Sequence, residues 1–471
     1  MGVNVNKDSH VIFDISDTKL KHLYDEAERK CLDNIRDFAG KKVLVEGGGY
    51  EKIWLETQPM GGEMYAKRNI EVGLNNQLMF MENIREDGRL PGSIALIDNK
   101  VVPQYNKFQG FCFPKPALNM YYIAELDKDY LELLYSTLER FDNYLWSVRD
   151  SDGDGCLETW CKYDTGEDNA MRYMDAPDGW EEEYPPKGCR VVPMASIDVM
   201  SYSYSARETL EKVSRLLGRD EDISYWSLRS KEIKRKIREY LWSEEDSTCY
   251  DRDKNHFRMP ILYHNTLRAM YWNSIDNDMA EKFVDRHLLN PNEFWTKMPL
   301  PSVSVSDSMF RNISANNWSG QCEMLTYQRA IRALENYGYD HLVIELGKIL
   351  FEALKEDCVF VQQFDPFSAR PSMFSEDGTK IDGYGPAMLS VLEYVSRVYG
   401  VHREGDELYW GCRTGVESVY EQHLNGHIYR IENSKTGSRG MIDFREIFNT
   451  KADVKLITDI NGEVIKVIEL Y

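Results

Sequence analysis

The feature that most constrains the fold of this chain is a helical spacing of apolar residues that recurs along most of its length. Between residues 17 and 399, about eleven segments place apolar side chains at steps of three and four. That spacing is typical of amphipathic α-helices, each of which must bury one face against a neighbour. Only very short strand patterns interrupt them, and no repeat of the solenoid kind is present. The sequence therefore predicts an all-α body.

The predicted helices are separated by loops, and three of these loops are long. The helices are expected at residues 17–38, 69–85, 115–125, 128–149, 193–217, 222–242, 260–273, 277–289, 320–337, 340–355 and 384–399. The long loops, 150–192, 290–319 and 356–383, are rich in Gly, Pro, Asn and Asp. Long loops in a compact domain usually carry function, so we expect these three to meet at one end of the helical body.

The pattern changes after about residue 403. Residues 424–431, 454–458 and 464–471 alternate apolar and polar side chains, and Asn461-Gly462 is a hairpin signal. We therefore expect three parts: an N-terminal helix and lead-in over 1–49, a helical domain over 50–403, and a small β-rich appendage over 404–471.

Charge and cysteine content exclude several classes of function. The formal net charge is -21, with 57 Lys and Arg against 78 Asp and Glu. This argues against a nucleic-acid or anionic-membrane partner, because both depend on basic side chains. No apolar run approaches the ~20 residues of a membrane span, and the N-terminus lacks a signal-peptide core. Nine cysteines without a paired framework predict reduced thiols and a cytoplasmic location.

A motif in the first long loop resembles a known enzyme family. Residues 165–169 have the form small-Gly-x-Asp-Asn, and Arg172 follows three residues later. This resembles the Ser-Gly-x-Asp-Asn-x-x-Arg signature of glycoside hydrolase family 63, which is close to the trehalases of family 37. Five further stretches resemble motifs of that family in the expected order: 149–158, 294–303, 317–320, 364–368 and 382–385. The resemblance covers residues 50 to 400 and implies an (α/α)6 toroid of six inner and six outer helices.

The resemblance also implies a reaction. Inverting hydrolysis needs one protonated carboxyl that donates to the leaving oxygen and one ionised carboxylate that activates water. Asp168 matches the family's general acid. We expect the neighbouring charges of Asp164, Glu167 and Asp175 to raise its pKa. An acidic surface loop is the simpler alternative.

The position of the general base departs from the family. The resembled pattern has a glutamate three residues before its Asp-Pro, whereas this chain has Gln362. An amide cannot take a proton from water, which leaves three explanations open. The base has moved to Glu323, a deliberate or natural Glu→Gln change has inactivated the site, or hydrolysis has been lost altogether. For Glu323 the alternative is a buried acid paired with Arg329 or Arg332.

Further residues are candidates for binding a sugar. Arg68 and Arg172 are expected to donate to sugar hydroxyls, unless they form salt bridges with Glu71 and Asp175. Aromatic rings stack on carbohydrate C–H faces, although each such ring is more often part of the core. The aromatic candidates are Trp54, Tyr65, Trp180, Trp295 and Trp318, and the polar ones are Asn69, Gln77, Asn169 and Tyr384.

Metal and cofactor chemistry is not expected. Residues 150–155 match the start of an EF-hand loop, but its twelfth position is Cys161 rather than a glutamate. A tight turn with Asp side chains as backbone acceptors is the favoured interpretation.

We therefore predict an inverting, exo-acting glycoside hydrolase for a short, α-linked oligosaccharide or glycoside. The alternatives are a carbohydrate-binding pseudoenzyme and a sugar isomerase or epimerase using His256 and His264. The oligomeric state is left open.

Overall fold

The computed structural model describes residues 9–374 and 380–470. Within those ranges it contains α1 (Thr18–Leu32), α2 (Gln58–Tyr65), α3 (Ile70–Glu82), α4 (Pro114–Ile123), α5 (Lys128–Val148), α6 (Ile197–Leu217), α7 (Asp220–Lys236), α8 (Asn265–Tyr271), α9 (Asn277–Phe283), α10 (Met324–Glu335), α11 (Asp340–Leu354) and α12 (Gly385–Tyr399). Single π-helical turns, Ile237–Leu241 and Val284–Leu288, extend α7 and α9, and short 3-10 helices span Lys162–Asp164 and Met171–Tyr173.

The strands fall into a group of short hairpins near the loops and a group at the C-terminus. In chain order they are β1 (Ser9–Ile15), β2 (Ile35–Phe38), β3 (Lys41–Leu44), β4 (Ile53–Trp54), β5 (Ser93–Ile97), β6 (Lys100–Gln104), β7 (Glu158–Thr159), β8 (Met194–Ala195), β9 (Trp242–Ser243), β10 (Thr248–Cys249), β11 (Cys322–Glu323), β12 (Gln363–Phe364), β13 (Val401–Glu404), β14 (Glu407–Cys412), β15 (Ser418–Leu424), β16 (His427–Asn433), β17 (Ser438–Ile442), β18 (Arg445–Thr450), β19 (Val454–Asp459) and β20 (Val464–Glu469).

The even-numbered helices form a closed ring. Each contacts the next in the cycle α2, α4, α6, α8, α10, α12 and back to α2. The odd-numbered helices pack against this ring: α3 on α2 and α4, α5 on α4 and α6, α7 on α6, α9 on α8, α11 on α10 and α12, and α1 on α12. All eight residues of α2 are buried, whereas α7 buries only Trp226, Ser230 and Ile233. The fold is therefore a helical barrel, as the resemblance implies.

Helix α2 is absent from the sequence-based prediction. Pro59 and the pair Gly61-Gly62 are poor helix formers, so the local pattern does not indicate a helix there. In the folded chain these glycines allow close packing. A Cβ on Gly62 would lie 2.6 Å from the Cβ of Asn76, and a Cβ on Gly73 would lie 2.5 Å from the carbonyl oxygen of Gly62. Burial between α3 and the barrel core therefore outweighs the weak propensity.

The first predicted helix is too long. Helix α1 begins after its N-cap Asp17, whose side chain accepts from the amides of Lys19 and Leu20, but it ends at Leu32 rather than residue 38. Ile35–Phe38 is instead strand β2, which pairs with β3. The apolar residues of β2 continue the helical spacing by coincidence, which is why periodicity alone extended the helix.

The C-terminal region is β-rich, as predicted. It contains a five-stranded sheet in the order β1-β15-β16-β17-β18 and a four-stranded sheet in the order β13-β14-β19-β20. Strand β1 enters from the N-terminus and pairs with β15, with Ser9 opposite Leu424 and Ile15 opposite Ser418. The lead-in therefore contributes β1 to this sheet and α1 to the barrel wall. Within the described ranges, no helix is both long and apolar enough to cross a membrane.

Candidate active site

Asp168 lies in the first long loop, and buried charges anchor the turn before it. Asp164 forms a 2.6 Å ion pair with Arg149 and accepts hydrogen bonds from the amides of Phe108 and Trp160. Gly166 then turns with φ +76°, and a Cβ at that position would lie 2.2 Å from Oε2 of Glu56. The loop is therefore held close against the barrel, and Gly166 is required where it passes Glu56.

Asp168 itself is half-buried, and its Oδ1 is buried without a hydrogen-bond partner in the described chain. Burial raises the pKa of Asp168 to about 6, and the negative charges of Asp178 and Glu167 raise it as well. A hydrogen bond with Gln109 and the positive charge of Lys107 lower it. Of the three neighbours expected to raise this pKa, only Glu167 does so prominently.

The other two expected neighbours have partners of their own. Asp164 is neutralised by Arg149, which helps to hold its own pKa below the usual value. Asp175 pairs with Arg190 on the surface.

Arg172 is buried beneath the site in a network of acids. It forms ion pairs with Glu167, with Asp198 at 3.1 Å and with Asp251 at 3.4 Å. Glu167 is further bound by His264 at 2.8 Å. The expected partner Asp175 is not among these contacts, and the structure places the guanidinium among acids rather than free for a sugar. Arg172 therefore supports the loop that carries Asp168.

Glu323 lies at the N-terminus of α10 and is fully buried. Its Oε1 accepts a 3.1 Å hydrogen bond from the amide of Trp318, and its Oε2 has no partner in the described residues. Burial raises the pKa of Glu323 well above its ordinary value, and the charges of Asp168 and Glu56 raise it further. Trp318 has φ 62°, a conformation that is rare for a large side chain and is often found at functional sites.

The alternative partners considered for Glu323 bind elsewhere. Arg329 forms a 2.6 Å ion pair with Glu56, and the nearest carboxylate of Arg332 is that of Glu63 at 3.5 Å. Glu323 is therefore a buried acid without an ion-pair partner in the part of the chain that the structure describes.

Gln362 lies directly beside Glu323. Its carbonyl accepts a 2.9 Å hydrogen bond from the amide of Met324, and the adjoining strands β11 and β12 pair antiparallel. Its side-chain Oε1 accepts a 2.9 Å hydrogen bond from the hydroxyl of Tyr50. The long loops thus meet at one place: Asp168 comes from the first, Trp318 from the second and Gln362 from the third.

Two further acids in the site were missed by the sequence analysis. Glu46 is buried and accepts a 2.9 Å hydrogen bond from the hydroxyl of Tyr384, and burial and the charge of Glu56 raise its pKa well above the usual value. Burial raises the pKa of Glu56 to about 7 despite its ion pair with Arg329. Each acid ends a short apolar run, at residues 43–46 and 53–56, and that signal points to burial.

Other predicted residues lie near this cluster. Trp54 is half-buried with its Nε1 unpartnered in the described chain, and the Nζ atoms of Lys52 and Lys107 each lie 5.3 Å from its ring. Trp318 packs against His264 with ring centroids 5.7 Å apart. Tyr384 binds Glu46, and Asn169 is exposed beside Asp168.

A second group of predicted residues lies elsewhere. Tyr65 is buried near Cys31 and Arg68, and Arg68 bonds Glu28 and Tyr24 of α1 rather than Glu71. These residues are at the C-terminal end of α2, whereas Glu56 precedes its N-terminus. Asn69 caps α3 by accepting from Val72, and Gln77 donates to the carbonyl of Pro59.

The remaining two aromatic candidates are half-buried. Trp180 donates from Nε1 to the carbonyl of Tyr184, and Trp295 packs against the hydrophobic core. None of the contacts described for either residue reaches Asp168.

The acidic turn over 150–155 uses its side chains as backbone acceptors. The amides of Asp154, Gly155 and Cys156 donate to Asp152, Asp150 and Asp154, at 3.1, 3.2 and 2.7 Å. Two groups in the described residues bring three possible metal-ligating atoms within 4.8 Å of one another: Asp152, Asp154 and His256, and separately Glu335, His402 and Glu404. All nine cysteines are free thiols.

Comparisons with known proteins agree with the helical-barrel fold. Residues 54–378 match the family model described as the mannosylglycerate hydrolase MGH1-like glycoside hydrolase domain. A search of curated proteins finds no sequence match.

Among solved structures, the fold is similar to a GH63 mannosylglycerate hydrolase from Thermus thermophilus in complex with glucose. The TM-score is 0.62 at 16% identity, covering 79% of this chain and 99% of the other. The neutral trehalase Nth1 from Saccharomyces cerevisiae gives 0.57 at 15% identity, covering 76% of this chain and 74% of the other. A GH78 family rhamnosidase from a Bacillus species gives 0.60 at 12% identity, covering 90% and 40%.

The rhamnosidase covers 90% of this chain. The uncovered tenth is shorter than residues 404–471, so the structural similarity includes part of the β-rich region. At these identities the structures show a shared fold. The family model spans more than half of the chain and confirms the resemblance to family 63. The chain is a glycoside hydrolase and belongs to the MGH1-like glycoside hydrolase family.

Proposed function

We propose that this protein is an inverting, exo-acting hydrolase with an (α/α)6 toroid fold that cleaves a short, α-linked oligosaccharide or glycoside. Asp168 is the general acid and Glu323 is the general base. The observation that carries the proposal is that each has a buried carboxyl oxygen, Oδ1 of Asp168 and Oε2 of Glu323, with no partner in the described chain. Buried polar atoms are normally hydrogen-bonded, so these two indicate a place for substrate and water.

The electrostatics of the site suit a shared proton. The charge of Asp168 raises the pKa of Glu323, and Glu56 and Glu46 add further negative charge nearby. Two such carboxyls cannot easily be ionised together, so the pair holds one proton over a range of pH. The strongly raised pKa of Glu323 favours the proton on Glu323, so the reactive form, with the proton on Asp168, is the minor one of the two. In that form Asp168 donates its proton to the leaving oxygen while Glu323 accepts one from the attacking water.

Gln362 cannot act as the general base, and Glu323 is a suitable replacement for it. The amide of Met324, the residue after Glu323, bonds the carbonyl of Gln362, so the two positions are adjacent across a pair of strands. The Tyr50 hydroxyl bonds the Gln362 side chain, and the charge of Glu323 reaches the same hydroxyl, so both side chains lie near it. Its raised pKa also makes it a stronger base once it is ionised.

An aromatic ring near the site and the three long loops around it both favour a small sugar substrate. Trp54 offers a half-buried ring 5.3 Å from the Nζ of Lys107, whose charge reaches Asp168, and such rings bind the C–H face of a sugar. The three long loops close around the site, which favours attack at a chain end. Nine free thiols suit a reducing cytoplasm, where the substrate would be a small sugar taken up by the cell.

The test is hydrolysis of a panel of α-linked disaccharides and glycosides, with the anomer first released followed by proton NMR. The proposal expects inversion at the anomeric carbon, and loss of about 10²–10⁴ in rate for Asp168→Asn. Retention would contradict the mechanism. Sugar binding without product would favour the alternative, a carbohydrate-binding pseudoenzyme, for which Gln362 is the supporting observation.

A further inference from the structure

Three side chains beside the acids form a directed chain of hydrogen bonds. The side-chain amide of Asn317 donates from Nδ2 to the hydroxyl oxygen of Tyr50 at 3.5 Å. The Tyr50 hydroxyl donates in turn to Oε1 of Gln362 at 2.9 Å. Asn317 and Gln362 are each 7% exposed, so bulk water competes little with these bonds. We call Asn317, Tyr50 and Gln362 the amide relay.

The direction of the relay is set by which amide atoms face the Tyr50 hydroxyl: Nδ2 of Asn317 donates to it, and Oε1 of Gln362 accepts from it. A phenol has one hydrogen, and burial near Glu46 raises the pKa of Tyr50, which keeps that hydrogen in place. Since Tyr50 donates its hydrogen to Gln362, the acceptor must be the amide oxygen. The orientation of the Gln362 side chain is therefore set by Tyr50.

Fixing both amides leaves one donor and one acceptor unused. The Oδ1 of Asn317 is buried and has no partner in the described chain. The Nε2 of Gln362 donates to no described residue. An unpaired buried polar atom costs about 1–3 kcal/mol, so the Oδ1 of Asn317 is expected to have a partner in the working protein. Water alone fills such a place in many proteins, but here the charges of Asp168 and Glu323 reach the Tyr50 hydroxyl that joins the two amides.

We propose that the amide relay is a recognition site for two neighbouring hydroxyl groups of the sugar, with Gln362 Nε2 as donor and Asn317 Oδ1 as acceptor. A sugar hydroxyl can fill either role, because it both donates and accepts. Gln362 is thus a specificity-determining residue, and Tyr50 is a positioning residue that acts through it. The proposal rests on the proposed function, because it takes the ligand to be the glycone held between Asp168 and Glu323.

This role explains why a glutamine is retained where the family has a base. A glutamate at 362 would be acceptor-only when ionised, and the Tyr50 hydroxyl would then satisfy one of its oxygens without leaving a donor for the sugar. It would also add another negative charge to a site that already contains Asp168, Glu323, Glu56 and Glu46.

The first experiment separates binding from turnover with Tyr50→Phe, which removes only the hydroxyl. We expect KM for the best substrate to rise about tenfold, the equivalent of one net hydrogen bond, while kcat changes less than about threefold. Tyr105→Phe is the matched control, because Tyr105 donates to the carbonyl of Asn83 away from the relay. If Tyr50→Phe and Tyr105→Phe had the same KM and the same kcat, the proposal would be overturned.

The second experiment uses Gln362→Glu and Gln362→Leu. We expect both to weaken sugar binding about tenfold or more, and Gln362→Glu to give no gain in kcat. A higher kcat in Gln362→Glu would mean that position 362 is a disabled base, and it would overturn the relay.

Deoxy sugars identify the hydroxyls. Deleting either of two neighbouring hydroxyls should weaken wild-type binding, and the penalty for one of them should vanish in Gln362→Leu. Equal penalties in both proteins would contradict the proposal.

Binding is measured by calorimetry in an Asp168→Asn background, which keeps the ligand intact. If that protein binds sugar through the relay but the wild type releases no product, the relay stands and the proposed hydrolysis fails. If the wild type hydrolyses the sugar and relay variants bind it unchanged, the relay fails and the hydrolysis stands. The two claims are therefore tested apart.

Discussion

The backbone amide of Trp318 donates a 3.1 Å hydrogen bond to one carboxyl oxygen of Glu323, and the other oxygen of that carboxyl is buried without a described partner. One oxygen is thus held by the backbone while the other is free to act on water or substrate. Because the φ of Trp318 is 62°, the loop adopts an uncommon conformation where it delivers this amide. Trp318 belongs to the 317–320 motif and Glu323 follows it by five residues, and their contact holds the candidate base in place.

The pH dependence of activity should report the environment of Asp168. Burial raises its pKa to about 6, and Lys107 lowers it. The acid must be protonated, so kcat/KM should fall on the alkaline side, where the coupled pair of carboxyls loses its last proton. Lys107→Met removes the charge that favours ionisation and should move this alkaline limb to higher pH.

The control for that shift is Lys128→Met, because Lys128 is an exposed residue at the start of α5. A pH–rate profile in Lys107→Met that overlays the wild type, or moves to lower pH, would mean that Asp168 does not set the limb.

The buried network around Arg172 should contribute strongly to stability. Arg172→Met leaves Glu167, Asp198 and Asp251 without their shared cation, although Arg268 still pairs with Asp198 at 2.8 Å. Breaking a buried ion pair by removing one partner costs about 3–5 kcal/mol, because the remaining charge is buried. Denaturant unfolding measures this loss.

Arg215→Met is the matched control, because Arg215 pairs with Glu211 on the exposed face of α6. We expect little change there, since surface pairs contribute little. If Arg172→Met unfolds at the same denaturant concentration as the control, the network does not hold the Asp168 loop.

His402 should make the protein less stable in acid. It is buried between the barrel and the β-rich region, with both ring nitrogens unpartnered in the described chain. Burial lowers its pKa well below 6.5, and nearby cations add to this effect. The charged groups that face it are Lys67, Arg332, Arg397 and Lys455, with the acids Glu335 and Glu404.

The sign of the effect follows from proton binding. Below the unfolded-state pKa the unfolded chain binds a proton that the folded chain excludes, so stability falls as the pH drops below about 6.5, by up to about 1.4 kcal/mol per pH unit. His402→Phe keeps the stacking on Tyr409 and should flatten this slope. The exposed His427→Phe should not. Parallel slopes in wild type and His402→Phe would contradict this account.

The barrel was largely predictable because apolar residues recur at helical spacing in its other helices, including α8, which is buried as completely as α2. Helix α2 was not, because Pro59 and Gly61-Gly62 give it a poor helix propensity. Its glycines pack closely against Asn76 and Leu389. Only the tertiary contacts show why it forms.

The sequence predicts a candidate site most directly where the chemistry is concentrated in a short motif, as at Asp168. The site was not predictable where residues from distant segments meet. Glu56 lies against Gly166 of the first long loop and Glu46 bonds Tyr384, and no local pattern indicates these contacts between distant segments. Arg68 was expected to bind the sugar, but helix α2 separates it from Glu56 along the chain. The eight residues of α2 span about 12 Å, and Arg68 lies beyond the end farther from Glu56.

The most direct test of the account is turnover of a glycosyl fluoride by Asp168→Asn and Glu323→Gln. Fluoride leaves without a proton, so the general acid is dispensable for this substrate while the general base is still required. We expect Asp168→Asn to hydrolyse the fluoride within about tenfold of the wild-type rate, and Glu323→Gln to lose about 10²–10⁴. If Glu323→Gln hydrolysed the fluoride at the wild-type rate, the assignment of the base would be contradicted, and the proposed mechanism with it.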